Sequence, residues 1–212
     1  GSWKSINWAK ANRVVNNLSR RIFTAKQQGK YRTLRNLQRL LIKAYSNRLL
    51  AVRRVSQINT GRKTPGVDKK VYLTPTKQLV CSLNTVSGLN KWKAIPAKRI
   101  DIPKSKGKQR TLGIPTLTDR ALQAIVGAAL EPEWEAQFEG CSYGFRPKRS
   151  CWDAIGDIFT VFRAGTTKQW SLDADIQGCN ISHSFLLNSL NTFPGRNIIS
   201  KWVKAGYMKE LS

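Results

Sequence analysis

Apolar residues spaced three or four positions apart predict two long helices at the start of the chain. The first covers residues 3–28 and stops at Gly29, and the second covers residues 31–58. The apolar stripes are Trp8, Val15, Leu18 and Ile22 in the first helix and Leu34, Leu37, Leu41, Tyr45, Leu49 and Val52 in the second. Lysines and arginines fill the other faces, with almost no acid interleaved for pairing one turn away. We therefore interpret both helices as a surface that binds a phosphate backbone.

Alternating side chains in the middle of the chain predict a β-hairpin with a basic tip. One strand covers residues 95–102 and a shorter one covers 111–114, and lysines, an arginine and a glycine occupy the turn between them. The next helix is expected to be capped by Thr118 or Asp119, and Pro132 either ends it or starts a further turn. A cluster of glutamates follows, which we interpret as a solvated surface because it has no histidine and no pairing spacing. Its members are Glu131, Glu133, Glu135 and Glu139.

The last third of the chain is predicted to contain a helix over 151–162 and a buried strand over 170–176. Strand alternation places Asp173 and Asp175 on one face, and two carboxylates on one face suit Mg²⁺. By spacing alone, one of the pair could instead cap a turn or meet an arginine. Two further helices are expected, one capped by Ser182 and a last one over 197–206.

The composition points to a polyanionic partner. The chain carries 37 lysines and arginines against 12 acids, a formal charge of +25, with a pI near 10.6. Solubility needs a net charge of only about 2–8, so the excess favours nucleic acid ahead of an anionic membrane surface. No apolar run approaches the roughly 20 residues that span a bilayer, and no signal-peptide core follows the start. The four cysteines lack zinc spacing and are expected to be reduced, so we predict a cytoplasmic location, bacterial-type or in an organellar matrix.

Four sequence blocks, in this order, resemble those of group II intron-encoded reverse transcriptase/maturases. The blocks are Thr64 to Asp68, Ile102 to Gln123, Ser142 to Ser150 and Leu172 to Cys179. They are similar to the family's N-terminal extension, its two fingers blocks and the start of its palm. The resemblance implies a helix-rich α+β fold, a right-hand polymerase with fingers and a partial palm, carrying the basic β-hairpin and a short antiparallel palm sheet. It divides the chain into a basic helical extension (1–72), fingers (73–168) and an incomplete palm (169–212).

The resemblance also implies roles for individual residues. Asp175 matches the catalytic aspartate that holds Mg²⁺ between the incoming phosphates and the primer 3′ oxygen, and the metal ligands fall at Asp175 and Ile176. The residues expected to grip the nucleotide are Lys104, Lys108, Arg110, Arg120 and Arg146. Those expected to bind RNA are Arg13, Arg20, Arg21, Arg32, Arg35, Arg39, Lys43, Arg62, Lys63 and Arg149. The expected partners are intron RNA and template, with a DNA target and self-association through the fingers as further ones.

The sequence departs from the family pattern in two ways. Gly178-Cys179 is followed directly by Asn180, so two residues of the pattern are missing, including the phenylalanine that excludes a 2′-hydroxyl. If this shortfall is a real deletion, it shifts Asn180 relative to Asp175, and we expect it to disable nucleotide selection. No Tyr-Ala-Asp-Asp box occurs, so one carboxylate strand does not complete the metal site, and we expect no polymerase activity from this chain alone.

The expected function is therefore that of the N-terminal part of a reverse transcriptase/maturase, which binds intron RNA and supports splicing and retrohoming. One alternative is a non-catalytic RNA-binding scaffold derived from such an enzyme. Another is the reverse transcriptase of a CRISPR adaptation system. A downstream Tyr-Ala-Asp-Asp box in the parent gene would favour the enzyme, and a neighbouring integrase-like domain would favour the adaptation system.

Overall fold

A computed structural model describes residues 2–78, 81, 92–103, 109–163, 170–174 and 181–209. The N-terminal elements are a 3-10 turn (Trp3–Ser5), α1 (Trp8–Gln27), α2 (Tyr31–Lys43), α3 (Tyr45–Arg53), a π-helical turn (Arg54–Ile58) and a second 3-10 turn (Thr60–Lys63). The later elements are β1 (Ala97–Pro103), β2 (Gln109–Ile114), α4 (Leu117–Glu135), α5 (Cys151–Phe162), α6 (His183–Ser189), α7 (Arg196–Ala205) and β3 (Tyr207–Lys209). The described part of the chain is thus helix-rich with one small sheet.

The two predicted N-terminal helices are each interrupted. The first consists of the 3-10 turn at Trp3–Ser5 and then α1, which starts at Trp8. The side chain of Asn7 caps α1 by accepting a hydrogen bond from the Lys10 amide at 2.8 Å. The prediction of one helix over 31–58 is wrong, because Ala44 adopts an extended conformation and separates α2 from α3. Asn47 bridges the break by donating to the Leu41 carbonyl at 3.0 Å. The apolar stripe continues across the break, so periodicity does not reveal it.

The core lies between α4 and the three N-terminal helices. Its larger cluster includes Leu18, Ile22, Leu34, Leu41 and Ile125, and a smaller one joins the first turn of α4 to α3 and the 3-10 turn at Trp3–Ser5. Full burial of each such side chain contributes about 1.5–3 kcal/mol. Packing of α1 and α2 on α4 leaves their other faces to solvent, where the cations lie.

The cap of α4 lies two or three residues before the predicted positions, Thr118 or Asp119. Thr116 is the cap: its hydroxyl accepts from the Asp119 amide at 3.1 Å and donates to the Asp119 carboxylate at 2.8 Å. Asp119 is buried and also accepts hydrogen bonds from the indoles of Trp92 and Trp202. The helix continues through Pro132 to Glu135, in keeping with the second of the two alternatives.

The sheet has the order β2-β1-β3. β1 and β2 are antiparallel, with Asp101 opposite Thr111, while β3 pairs in parallel with β1. The basic tip, 104–108, lies outside the described residues. The described strands therefore form a mixed sheet and not the expected antiparallel palm sheet. The short β3 carried no sequence signal, since three residues are too few to show alternation.

The C-terminal helices follow the predicted pattern, but the predicted buried strand does not. Ser150 and Asp153 form a reciprocal capping box at the start of α5, and Ser182 caps α6. Residues 170–174 form no strand and are exposed, with Leu172 92% exposed. That part of the prediction is wrong, because an apolar run is buried only where other strands or helices cover it.

Candidate nucleic-acid interface

The outward face of α2 carries a stripe of cations. Arg32, Arg39 and Lys43 are exposed. Arg39 lies seven residues after Arg32 and Lys43 lies eleven after it, so the three share one face of the helix. Arg39 donates to the side chain of Asn36 at 2.9 Å, and this contact orients its guanidinium without neutralising it. Leu34 and Leu41 face the core from the opposite side. We name Arg32, Arg39 and Lys43 the α2 stripe.

The outer face of α1 adds a second set of cations. Arg13 and Arg20 are exposed and two turns apart, and Arg20 donates to the side chain of Asn17 at 3.0 Å. Arg21 is also exposed and, with Arg20 and Lys30, lines a groove of 370 Å³ between α1 and α2. Of the predicted RNA-binding residues, Arg20 and Arg21 thus line this groove, and α2 contributes Thr33 and Leu37 to it.

The loop after α3 presents two more predicted RNA-binding residues, Arg62 and Lys63, both exposed. Arg62 donates to the Gln57 carbonyl at 3.0 Å. Arg120 holds this loop in place by donating to the carbonyls of Pro115 at 2.9 Å, Gly61 at 3.0 Å and Thr64. Burial lowers the pKa of Arg120 from its ordinary value. Three of its five N–H groups thus donate to protein carbonyls, and its predicted role in gripping a nucleotide stays a prediction.

The Thr64–Asp68 block packs closely on the start of α4. A side chain at Gly66 would place its Cβ 2.7 Å from the backbone nitrogen and Cα of Thr116. Only glycine permits this approach without movement of the backbone. Together with the Arg120 contacts, this glycine joins the predicted extension to the predicted fingers.

Arg35, unlike the α2 stripe, is buried and is not available to RNA in this structure. Its guanidinium lies 2.6 Å from the Glu133 carboxylate and also donates to Gln38 at 2.8 Å and to Thr192 at 2.9 Å. The interpretation of the glutamates as a solvated cluster is wrong for Glu133, which is buried with its partner. We therefore leave Arg35 out of the interface.

Arg146 is likewise committed to the protein. It forms a bidentate salt bridge with the Glu135 carboxylate at 2.6 and 3.1 Å and donates to the backbone carbonyls of Glu139 and Ser142. The hydrogen bond from Arg146 holds the pKa of Glu135 below its usual value, and the carboxylate in turn raises the pKa of Arg146. These contacts hold together the loop that precedes α5, and the predicted role of Arg146 at a nucleotide stays a prediction. Arg149 remains exposed, with its guanidinium 5.5 Å from the Tyr143 ring centre.

The predicted polymerase site falls mainly outside the described residues. Lys104, Lys108, Asp175 and Ile176 lie there. Of the predicted nucleotide-binding residues, Arg110 is described, as are Arg120 and Arg146, and Arg110 is exposed on β2 opposite Ile102. Among the residues that are described, no three histidine, cysteine or acidic side chains come together as a metal site. The roles of Lys104, Lys108 and Arg110 in binding nucleotide, and of Asp175 and Ile176 in binding Mg²⁺, stay predictions. None of the helices in the described part of the chain is long and apolar enough to cross a membrane.

One group of polar residues lines a groove and shows no pattern in the sequence. Asn16, Arg54, Asn59 and Gln123 line a groove of 490 Å³ between α1, the π-helical turn and α4. They come from three separate elements and share no spacing, so no sequence pattern could have assembled them.

Two family descriptions match this chain. The N-terminal domain of reverse transcriptase matches residues 3–84, and reverse transcriptase (RNA-dependent DNA polymerase) matches residues 102–211, just over half of the chain. Protein YkfC of Escherichia coli (strain K12) is 32% identical over 166 residues, covering 73% of this chain and 44% of that protein. The group II intron-encoded protein LtrA of Lactococcus lactis subsp. cremoris is 39% identical over 121 residues, covering 54% of this chain and 20% of LtrA. Maturase-like protein 1 of Euglena gracilis is 28% identical over 144 residues, 68% of this chain and 31% of that protein.

The chain spans less than half the length of each of these curated relatives. The two family matches lie in the same order as the extension, fingers and palm blocks of the sequence. The chain belongs to the reverse transcriptase family, and it matches the N-terminal portion of group II intron-encoded proteins and maturases.

Proposed function

We propose that this chain is the RNA-binding N-terminal part of a group II intron reverse transcriptase/maturase, and that the cations of α1 and α2 bind intron RNA in support of splicing and retrohoming. The observation that carries the proposal is the state of those cations. Arg13, Arg32 and Lys43 are exposed, and no carboxylate within the described ranges lies within salt-bridge distance of them. Free cations of this kind release counterions when they meet phosphates.

The distribution of acids supports this proposal. Residues 2–78 contain nineteen lysines and arginines and one acid, Asp68. Several acids elsewhere are occupied inside the protein: Glu133 by Arg35, Glu135 by Arg146 and Asp119 by two indoles. These three acids therefore contact groups inside the protein and do not neutralise the cationic face.

The geometry of the α2 stripe suits a backbone contact. Arg32 and Lys43 are eleven residues apart, which corresponds to about 16 Å along a helix that rises 1.5 Å per residue. A row of this length can contact several phosphates, with the planar fork of arginine and the mobile charge of lysine as complementary donors. Contacts of this type recognise the shape of folded RNA rather than its base sequence.

We propose further that polymerase chemistry, if the full enzyme carries it out, depends on groups beyond the described residues. Mg²⁺ would be held by Asp175 together with carboxylates of the later palm blocks. The described side chains do not by themselves make such a site. We expect the purified chain to extend no primer on an RNA template in the presence of Mg²⁺, and primer-dependent DNA synthesis by this chain would contradict that expectation.

RNA binding is tested by fluorescence anisotropy with a labelled, structured RNA over a range of salt concentrations. Replacing Arg32, Arg39 and Lys43 together by alanine should weaken binding and flatten the slope of log affinity against log salt by roughly 2–3, because up to three phosphate contacts are lost. The matched control removes three exposed lysines outside α1 and α2, namely Lys77, Lys93 and Lys204. Equal losses of RNA affinity in the α2 variant and the control would show that only net charge matters. An unchanged salt slope in the α2 variant would show that α2 is not part of the interface.

A further inference from the structure

We propose that the groove between α1, the π-helical turn and α4 binds an unpaired nucleotide of the RNA. The inference rests on the proposed function and deepens it, since it assigns to one site the recognition of a single-stranded element. The groove measures 490 Å³, within the range of about 300–1,000 Å³ typical of small-ligand sites. We call it the α1–α4 groove.

Small residues and an unusual turn line the groove. Ala124, Gly127 and Ala128 of α4 line it, and a Cβ added at Gly127 would meet no atom within 4 Å. The opposite wall is the π-helical turn, in which the Asn59 amide donates to the Arg54 carbonyl at 2.9 Å. Single π-helical turns are rare and occur frequently at functional sites.

The polar lining fits a nucleotide. Asn16, Asn59 and Gln123 offer amide donors and acceptors of the kind that pair with the edges of bases. Arg54 is exposed and offers its guanidinium to a phosphate, and Glu131 supplies the one carboxylate of the lining, an acceptor for ribose hydroxyls or base amines. These five side chains make no hydrogen bond to any residue of the described ranges, so their polar groups are available to a ligand.

The groove also adjoins the cationic face of α1, which favours a nucleic acid over a neutral metabolite. Asn16 lies three residues after Arg13 and four before Arg20, so the two arginines flank it one turn away on either side. A strand whose phosphates follow these arginines reaches the groove at Asn16. Arg120 also lines the groove, but its donors are held by three carbonyls and it acts as part of the wall.

The test fills the groove without disturbing the fold. Gly127→Leu places a side chain in open space and raises helix propensity, so the thermal stability should be equal to or above that of the wild type. Gly156→Leu is the matched control, because Gly156 also lies within a helix, α5, with nothing within 4 Å of an added Cβ. The probes are a single-stranded oligoribonucleotide and a blunt RNA duplex, both fluorescently labelled.

Gly127→Leu should weaken binding of the single strand by about tenfold, the loss expected when one base contact disappears, and should leave duplex binding unchanged. Gly156→Leu should change neither. If Gly127→Leu binds the single strand as the wild type does, or loses affinity equally for both RNAs, the groove does not bind an unpaired nucleotide. Either result leaves the proposed function intact. If the wild-type chain binds neither RNA, the proposed function itself fails.

Discussion

Replacing Arg35 distinguishes a structural arginine from an RNA-binding one, because the two roles predict different changes in stability and in RNA affinity. Arg35→Met removes the cation from a pair with Glu133 in which the two side chains are only 10% and 9% exposed. The carboxylate then stays buried without its partner. The loss of one member of a buried pair costs about 3–5 kcal/mol. For a chain of this length, each kcal/mol shifts the melting temperature by roughly 2–4 °C, so we expect a fall of roughly 6–20 °C.

A matched control lies one turn further along the same helix. Arg39 is exposed and bonded only to Asn36, so Arg39→Met should cost less than about 0.5 kcal/mol and should weaken RNA binding. Arg35→Met should show the reverse, with RNA affinity unchanged under conditions where the variant is folded. Both are followed by urea unfolding at pH 7 and by anisotropy with the same RNA.

A double variant tests whether the cost comes from the pair itself. Arg35→Met with Glu133→Leu leaves no buried charge, so it should be more stable than Arg35→Met alone. The reasoning is refuted if Arg35→Met unfolds at the wild-type urea concentration while its RNA affinity falls as far as that of Arg39→Met. In that case Arg35 would reach the RNA and the buried pair would not form in solution.

Two further predictions concern the loops that the arginines hold. Gly66→Ala should destabilise the chain by about 1–3 kcal/mol, because its Cβ would lie 2.7 Å from the backbone of Thr116, whereas Gly144→Ala, with nothing within 4 Å, should be neutral in the same melting experiment. Glu135 has a pKa lowered from 4.5 by its hydrogen bond from Arg146, so it stabilises the fold above that value and loses the effect as the pH falls through its lowered pKa. The stability difference between wild type and Glu135→Gln should therefore shrink as the pH falls below about 4.5 in urea unfolding, and a difference independent of pH would contradict the assignment.

Features that depend on neighbouring residues could be predicted from the sequence. The cap at Ser182 and the helices α5, α6 and α7 lie where the hydroxyl residue and the periodicity predicted them. The antiparallel pairing of β1 with β2 also follows from two alternating segments joined by a turn. The charge excess of +25 and the four ordered blocks sufficed to indicate the family. These signals are local, so each can be seen within one stretch of chain.

Only the tertiary structure decided which cations remain available to a ligand. Arg35 and Arg39 are the same residue type one turn apart, yet Arg35 meets Glu133, 98 residues away, and Arg39 meets solvent. The parallel pairing of β3 and the exposure of Leu172 likewise depend on segments distant in sequence. An ion pair or a groove forms where remote parts of the chain are brought into contact, and neither periodicity nor composition specifies which parts those are.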